Sequence, residues 1–154
     1  MSALDRIDRH ILEVLQKEGR LSTAELSDRV GLSPSPCARR LKRLEDEGYI
    51  SDYQANLNKA KIGISMTFFV EVSLSNHQEE SIQSFERSLN DMEEVINGHI
   101  VSGGYDYLLE VAAADLTAYE AFTRKLHKIT SVKDIHTHLS VRKIASNKPL
   151  PIYC

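Results

Sequence analysis

Two cysteines in 154 residues, Cys37 and Cys154, are too few and too far apart for a disulfide framework, and their spacing matches no zinc-ligand pattern. Both are expected to be reduced thiols. Long apolar runs are missing as well: nothing approaches the ~20 residues a membrane-spanning helix needs, and the opening MSALDRIDRH is charged from the start, without the apolar segment of a secretory signal. A cytoplasmic protein with no membrane attachment is the expectation. Charge of one sign is also scarce. The net charge of −3 excludes a chain coated in phosphate-binding cations. Nor is there a nucleophile beside a base, a Gly-rich phosphate loop or a catalytic pair of acids, so neither an enzyme nor a cofactor is expected.

What is present divides at about a third of the chain. With 42% hydrophobic residues the sequence can bury a core. Residues 1–50 hold nine Lys/Arg and nine Asp/Glu, whereas 51–154 hold ten against thirteen and carry the whole negative balance. Four of the nine early cations fall within Arg39, Arg40, Leu41, Lys42 and Arg43. Any polyanion contact belongs there.

Helical periodicity over Leu4, Ile7, Ile11, Val14 and Leu15 gives a first helix, with Gly19 placed to end it. Ser22 and Glu25 form a capping box that starts a second helix at Thr23, which stops at Gly31. A third helix is capped either by Ser33, with Pro34 at its first position, or by Ser35, which Pro36 disfavours as a helical residue. Two helices joined by a short glycine-containing turn form a helix-turn-helix. On the third helix Cys37, Leu41 and Leu44 share the inward face, while Arg39, Lys42 and Arg43 point outward and Arg40 lies at the edge. Such a basic outer face suits the major groove, where arginine pairs with guanine and any cation neutralises phosphate. Glu45, Asp46 and Glu47 would repel phosphate, so the N-terminal half of this helix should enter the groove. The expected DNA-contacting set is Ser33, Ser35, Pro36, Arg39, Arg40, Lys42 and Arg43.

Residues 51–63 lack sustained periodicity and read as a linker, with a short strand near Tyr49–Ala55 as one option. Beyond them the pattern repeats. A strand alternates through Met66, Phe68, Val70, Val72 and Leu74; a helix carries Ile82, Phe85, Leu89 and Met92; a strand covers 95–102. After Gly103 and Gly104 the sequence runs strand (105–113), helix capped by Asp115, and strand (132–143). This βαββαβ order is the ferredoxin-like arrangement, one antiparallel sheet with two helices on one face. Asn97-Gly98 is a competing hairpin signal; placing the turn at Gly103-Gly104 keeps both halves complete and makes Gly98 a bulge. Phe68 with Phe69, and Leu108 with Leu109, put apolar groups on both sheet faces, so a homodimer through the sheets is expected. A small helix-turn-helix also needs a two-fold partner to read two half-sites. His136 and His138 share one side of the last strand at a metal-capable spacing, but no third ligand accompanies them, which favours a surface or interface role.

With LSTAELSDRVGLSPSPCARRLKRLEDEGYI in the first part and SGGYDYLLEV in the second, the chain resembles the Lrp/AsnC, or feast/famine, family of prokaryotic transcription regulators over nearly its whole length. The resemblance implies an α+β protein: a three-helix winged helix-turn-helix domain over 1–50, a linker over 51–63, and a ferredoxin-like assembly and effector-binding domain over 64–154. It implies double-stranded DNA as a partner, and a homo-oligomer that is a dimer or an octamer built as a tetramer of dimers. It further implies a free amino-acid effector such as leucine, methionine or another aliphatic amino acid. By the same resemblance the effector site combines Ile100, Gly103, Gly104, Tyr105 and Asp106 with Thr137, His138, Leu139 and Ser140 of a neighbouring subunit's last strand. The chemistry agrees: Asp106 can accept from the ammonium, the backbone near the two glycines can donate to the carboxylate, and Ile100 and Leu139 can line an apolar side-chain pocket. The competing reading is a ferredoxin-like small-molecule-binding or catalytic domain whose helical part serves assembly only.

Overall fold

The computed structural model describes residues 4–145 and 148–153; Cys154 lies outside the described residues. The chain forms two compact units, Met1–Asn56 together with Ala145–Cys154, and Leu57–Ile144.

The first unit contains α1 (Arg6–Lys17), α2 (Thr23–Val30) and α3 (Pro34–Asp46). Asp5 caps α1 by accepting from the N–H groups of Ile7 and Asp8, and Asp8 accepts in return from the Asp5 N–H, so the helix opens on a reciprocal capping box. The Ser22–Glu25 box opens α2, and Gly31 closes it at φ 69°, a left-handed conformation that costs a glycine little. Ser33, not Ser35, precedes the first residue of α3, and Pro34 occupies the position where a missing N–H costs nothing. Ser33 makes no side-chain cap bond, however. Leu4, Ile11, Leu26, Val30, Cys37 and Leu44 form the buried centre. Each fully buried aliphatic side chain contributes about 1.5–3 kcal/mol.

Two expectations change here. No strand forms among residues 49–55; that stretch is irregular, and Tyr53 donates its hydroxyl to Glu45 instead, the burial and this carboxylate pushing its pKa up to about 12. The C-terminal residues, read with the second domain, belong to this first unit. Gln16 presents both halves of its amide to the Leu150 backbone, accepting from its N–H at 2.5 Å and donating to its carbonyl at 3.2 Å, and Ile152 packs on the helical core.

In the second unit a short 3-10 helix, Lys59–Ile62, precedes β1 (Met66–Leu74), α4 (Glu79–Asn90), β2 (Val95–Ile100), β3 (Tyr107–Ala113), α5 (Leu116–His127) and β4 (Val132–Leu139). The antiparallel sheet has the order β2-β3-β1-β4. Alternation sends Phe68, Val70, Val72 and Leu74 of β1 and Tyr107, Leu109 and Val111 of β3 into one core with Phe85 and Leu89 of α4 and Phe122 and Leu126 of α5. Phe68 stacks on Tyr119 with ring centroids 3.7 Å apart. The opposite sheet face has no helix of this unit upon it; Phe69 is exposed there, and Glu71, Leu108 and Glu110 are half-buried.

Asn97-Gly98 lies inside β2 rather than in a turn. The bulge sits at Ile96, where the register steps between Val95 and Asn97, while Gly98 pairs with Leu109, whose side chain would lie 3.4 Å from an added Cβ. So the expected bulge at Gly98 is displaced by two residues, and a side chain at 98 would meet Leu109 at ordinary van der Waals distance. Strands β2 and β4 also end earlier than the alternation suggested, at Ile100 and Leu139.

Candidate functional site

The two sets of residues singled out in the sequence lie in different units. On α3, Cys37 and Leu44 are fully buried, while Ser33, Ser35, Arg39 and Lys42 are exposed and Pro36 is half-buried. Arg39 and Lys42 have no ion-pair partner among the described residues. The other two cations behave differently. Arg40 donates through Nη1 to Asp5 at 2.5 Å and Asp8 at 2.8 Å, and Arg43 donates through Nη2 to Asp8 at 2.5 Å. Arg43, outward on an ideal helical wheel, bends back to α1 because a long side chain follows a buried carboxylate rather than its Cβ direction. The pairings with Asp5 and Asp8 were invisible to local pattern, since they join positions 32 or more apart. Only the Asp-x-x-Asp spacing at the start of α1 hinted at acids facing one another.

In the second unit, the segment from Val101 to Asp106 joins β2 to β3 and is closed by the Val101 N–H donating to the Asp106 carbonyl. Gly103 sits at φ 135°, a conformation that L side chains rarely adopt, and an added Cβ there would touch nothing, so backbone geometry alone requires the glycine. No described residue accepts the N–H of Gly103 or Gly104. Asp106 is engaged on both oxygens: Oδ2 accepts from the Leu74 N–H at 2.7 Å and Oδ1 lies 2.7 Å from His77 Nε2. The backbone bond first, then His77, hold this carboxyl below the ordinary aspartate range. The Glu71 carboxylate raises the Tyr105 phenol pKa.

The expected β4 residues diverge in direction. Thr137 faces the helix layer, its hydroxyl 2.5 Å from that of Tyr119. His138 is on the open face with its Nε2 3.4 Å from Glu71, and His136 on the same face has Nδ1 3.7 Å from Asp134. Leu139 is half exposed at 49%, Ile100 is exposed at 72%, and the Ser140 N–H donates to Thr67. Within one chain these residues therefore do not converge on a single pocket. His77 and Glu71 escaped the sequence reading because nothing in their local pattern points to the glycine loop.

Comparison with known proteins decides what this pairing of units is. Residues 4–51 match the family model described as winged helix-turn-helix DNA-binding, and residues 67–150 match the model described as Lrp/AsnC ligand binding domain. The chain is 40% identical over 150 residues to the leucine-responsive regulatory protein of Escherichia coli K12, covering 97% of this chain and 92% of that protein. The chain belongs to the Lrp/AsnC family of transcription regulators. A solved structure of a Neisseria meningitidis transcriptional regulator in complex with L-Met superposes with TM-score 0.93 at 36% identity, covering 97% of both chains. An AsnC family regulator from Agrobacterium tumefaciens gives 0.90 at 35% identity, covering 96% of this chain and 97% of that one. As an Lrp/AsnC regulator, the chain is a DNA-binding protein with a C-terminal amino-acid ligand-binding domain, and not an enzyme. Among the described residues no helix is long and apolar enough to cross a membrane.

Proposed function

We propose that this regulator binds operator DNA as a homodimer or a higher oligomer, an octamer included, through Ser33, Ser35, Pro36, Arg39, Arg40, Lys42 and Arg43, and that a free aliphatic amino acid at the β2–β3 loop sets its activity. The observation carrying the effector half is the loop itself: the N–H groups of Gly103 and Gly104, which no described residue accepts, precede the Asp106 carboxylate by three and two positions. A zwitterion needs both signs of partner within a few ångströms. The ligand's ammonium takes Oδ1 of Asp106 as the exposed His77 swings aside, its carboxylate takes the glycine backbone, and Ile100 offers apolar surface. Thr137, His138, Leu139 and Ser140 complete the site from a second copy, in keeping with their divergence within one chain. Leucine and methionine are the first candidates, since the E. coli relative is named leucine-responsive and the Neisseria regulator was solved with L-Met. The exposed sheet face with Phe69 and Leu108 supports the dimer.

Calorimetry with each of the twenty amino acids on the wild type and on Asp106→Ala tests the effector site. Binding of one aliphatic amino acid that Asp106→Ala abolishes is the expected result; equal binding by both proteins would refute the ammonium contact. Sedimentation velocity with and without that amino acid tests the oligomer.

A further inference from the structure

Of the four cations grouped on α3, two are held from behind by α1. Asp8 is 1% exposed, and a carboxylate so far from water is tolerated only when charge and hydrogen bonds compensate it. Here its Oδ1 accepts from Arg40 and its Oδ2 from Arg43, with a further bond at 3.1 Å from the Asp5 N–H. Asp5, at the rim, adds a second acceptor for Arg40. The contacts span 32 and 35 positions, so they fix α3 against α1 rather than stiffen either helix.

We propose that Asp8 is a positioning residue for DNA recognition: it fixes the direction of the Arg40 and Arg43 guanidiniums and, through them, the seat of α3 on the duplex. This rests on the reading that α3 carries the DNA face. A guanidinium has five N–H donors, and the aspartates engage only Nη1 of Arg40 and Nη2 of Arg43. Both side chains remain about a third exposed, 30% and 36%. Arg43 Nε is buried; the other free donors are available to phosphate from a fixed direction, while a fork-to-guanine pair would strand a buried carboxylate. Base reading falls to Arg39, which nothing described restrains, while Lys42, equally unrestrained, neutralises phosphate. The division of labour is two clamped cations that set register, one free arginine that reads and one free lysine that adds affinity.

Electrostatics alone predicts the opposite consequence of removing Asp8, which makes the proposal testable. Asp8→Asn adds one unit of positive charge near the phosphate-facing surface, so without a positioning role every duplex should bind more tightly. The probes are a duplex selected by the full-length wild type from a random-sequence pool and a scrambled duplex of equal length, titrated by anisotropy across a salt series. For Asp8→Asn we expect roughly tenfold weaker binding to the selected duplex with scrambled binding unchanged or tighter, a loss of discrimination. Asp46→Asn makes the same charge change outside the clamp and should tighten both equally. If circular dichroism shows that Asp8→Asn does not fold, Arg40→Lys and Arg43→Lys keep the charge, remove the fork and should lower discrimination in the same way. Folded variants that discriminate within about twofold of the wild type would overturn the proposal. If instead Arg39→Ala and Lys42→Ala leave both duplexes bound as before, the assignment of α3 as the DNA face fails.

Discussion

His77 Nε2 lies 2.7 Å from Asp106 Oδ1, so the one carboxylate on the glycine loop is occupied by a side chain from the start of the segment leading into α4. His77 is 65% exposed and loses little by leaving. An amino-acid ammonium that takes Oδ1 must displace it. His77→Ala is therefore expected to tighten effector binding about 2- to 5-fold, the scale of a solvent-screened ion pair, with calorimetric affinity as the measurement. Weaker binding by His77→Ala would place the imidazole among the ligand's own contacts.

The exposed cations of α3 should separate by what they touch. Arg39→Ala is expected to lower affinity for the preferred duplex by about 1–3 kcal/mol and relax the sequence preference at one position. Lys42→Ala should weaken all duplexes alike and reduce the slope of log affinity against log salt by about one. Equal loss on every sequence for Arg39→Ala would remove its base-reading role.

Gly103 offers a cleaner stability test. Its φ of 135° penalises any side chain although open space surrounds the Cβ position. Gly103→Ala should cost about 1–3 kcal/mol in urea unfolding, with Gly104→Ala, which has no positive φ, costing less. A neutral Gly103→Ala would mean that the loop relaxes freely, and the backbone donors proposed for the effector carboxylate would lose their fixed geometry.

Acid sensitivity should originate in part at the start of α1. The Asp8 N–H bond first, then Arg40, hold the Asp5 carboxyl well below its ordinary value of 3.8, at about 2. A depressed folded-state pKa contributes stability that is complete above the ordinary value and disappears as pH falls from 3.8 toward 2. The difference in unfolding free energy between wild type and Asp5→Asn is expected to shrink over that interval. A difference that stays constant from about pH 5 to about pH 2 would exclude Asp5 as a source.

Local signals made most of the architecture readable. The Ser22–Glu25 box, Gly31 and Pro34 each specify a helix boundary through two or three neighbouring residues, and each stands where the sequence put it. Alternation in Met66–Leu74 and the placement of Asp115 did the same for the sheet unit. What escaped depends on partners distant in sequence. Arg43 turns inward because Asp8 is there, His77 reaches a loop 29 positions away, and the bulge fell at Ile96, where the register against β3 steps, rather than at Gly98. The candidate DNA residues could be listed from a helical wheel, yet which of them are restrained could not.

The amide of Gln16 and the backbone of Leu150 meet across 134 positions, which makes the helical unit discontinuous along the chain. Its three helices assemble from near neighbours, but its last segment arrives only after a long loop closes, a step whose entropic cost grows slowly with length and whose contacts form late. Until then Leu12, Leu15 and Ile50, which line the groove beside Leu150 and Ile152, wait uncovered.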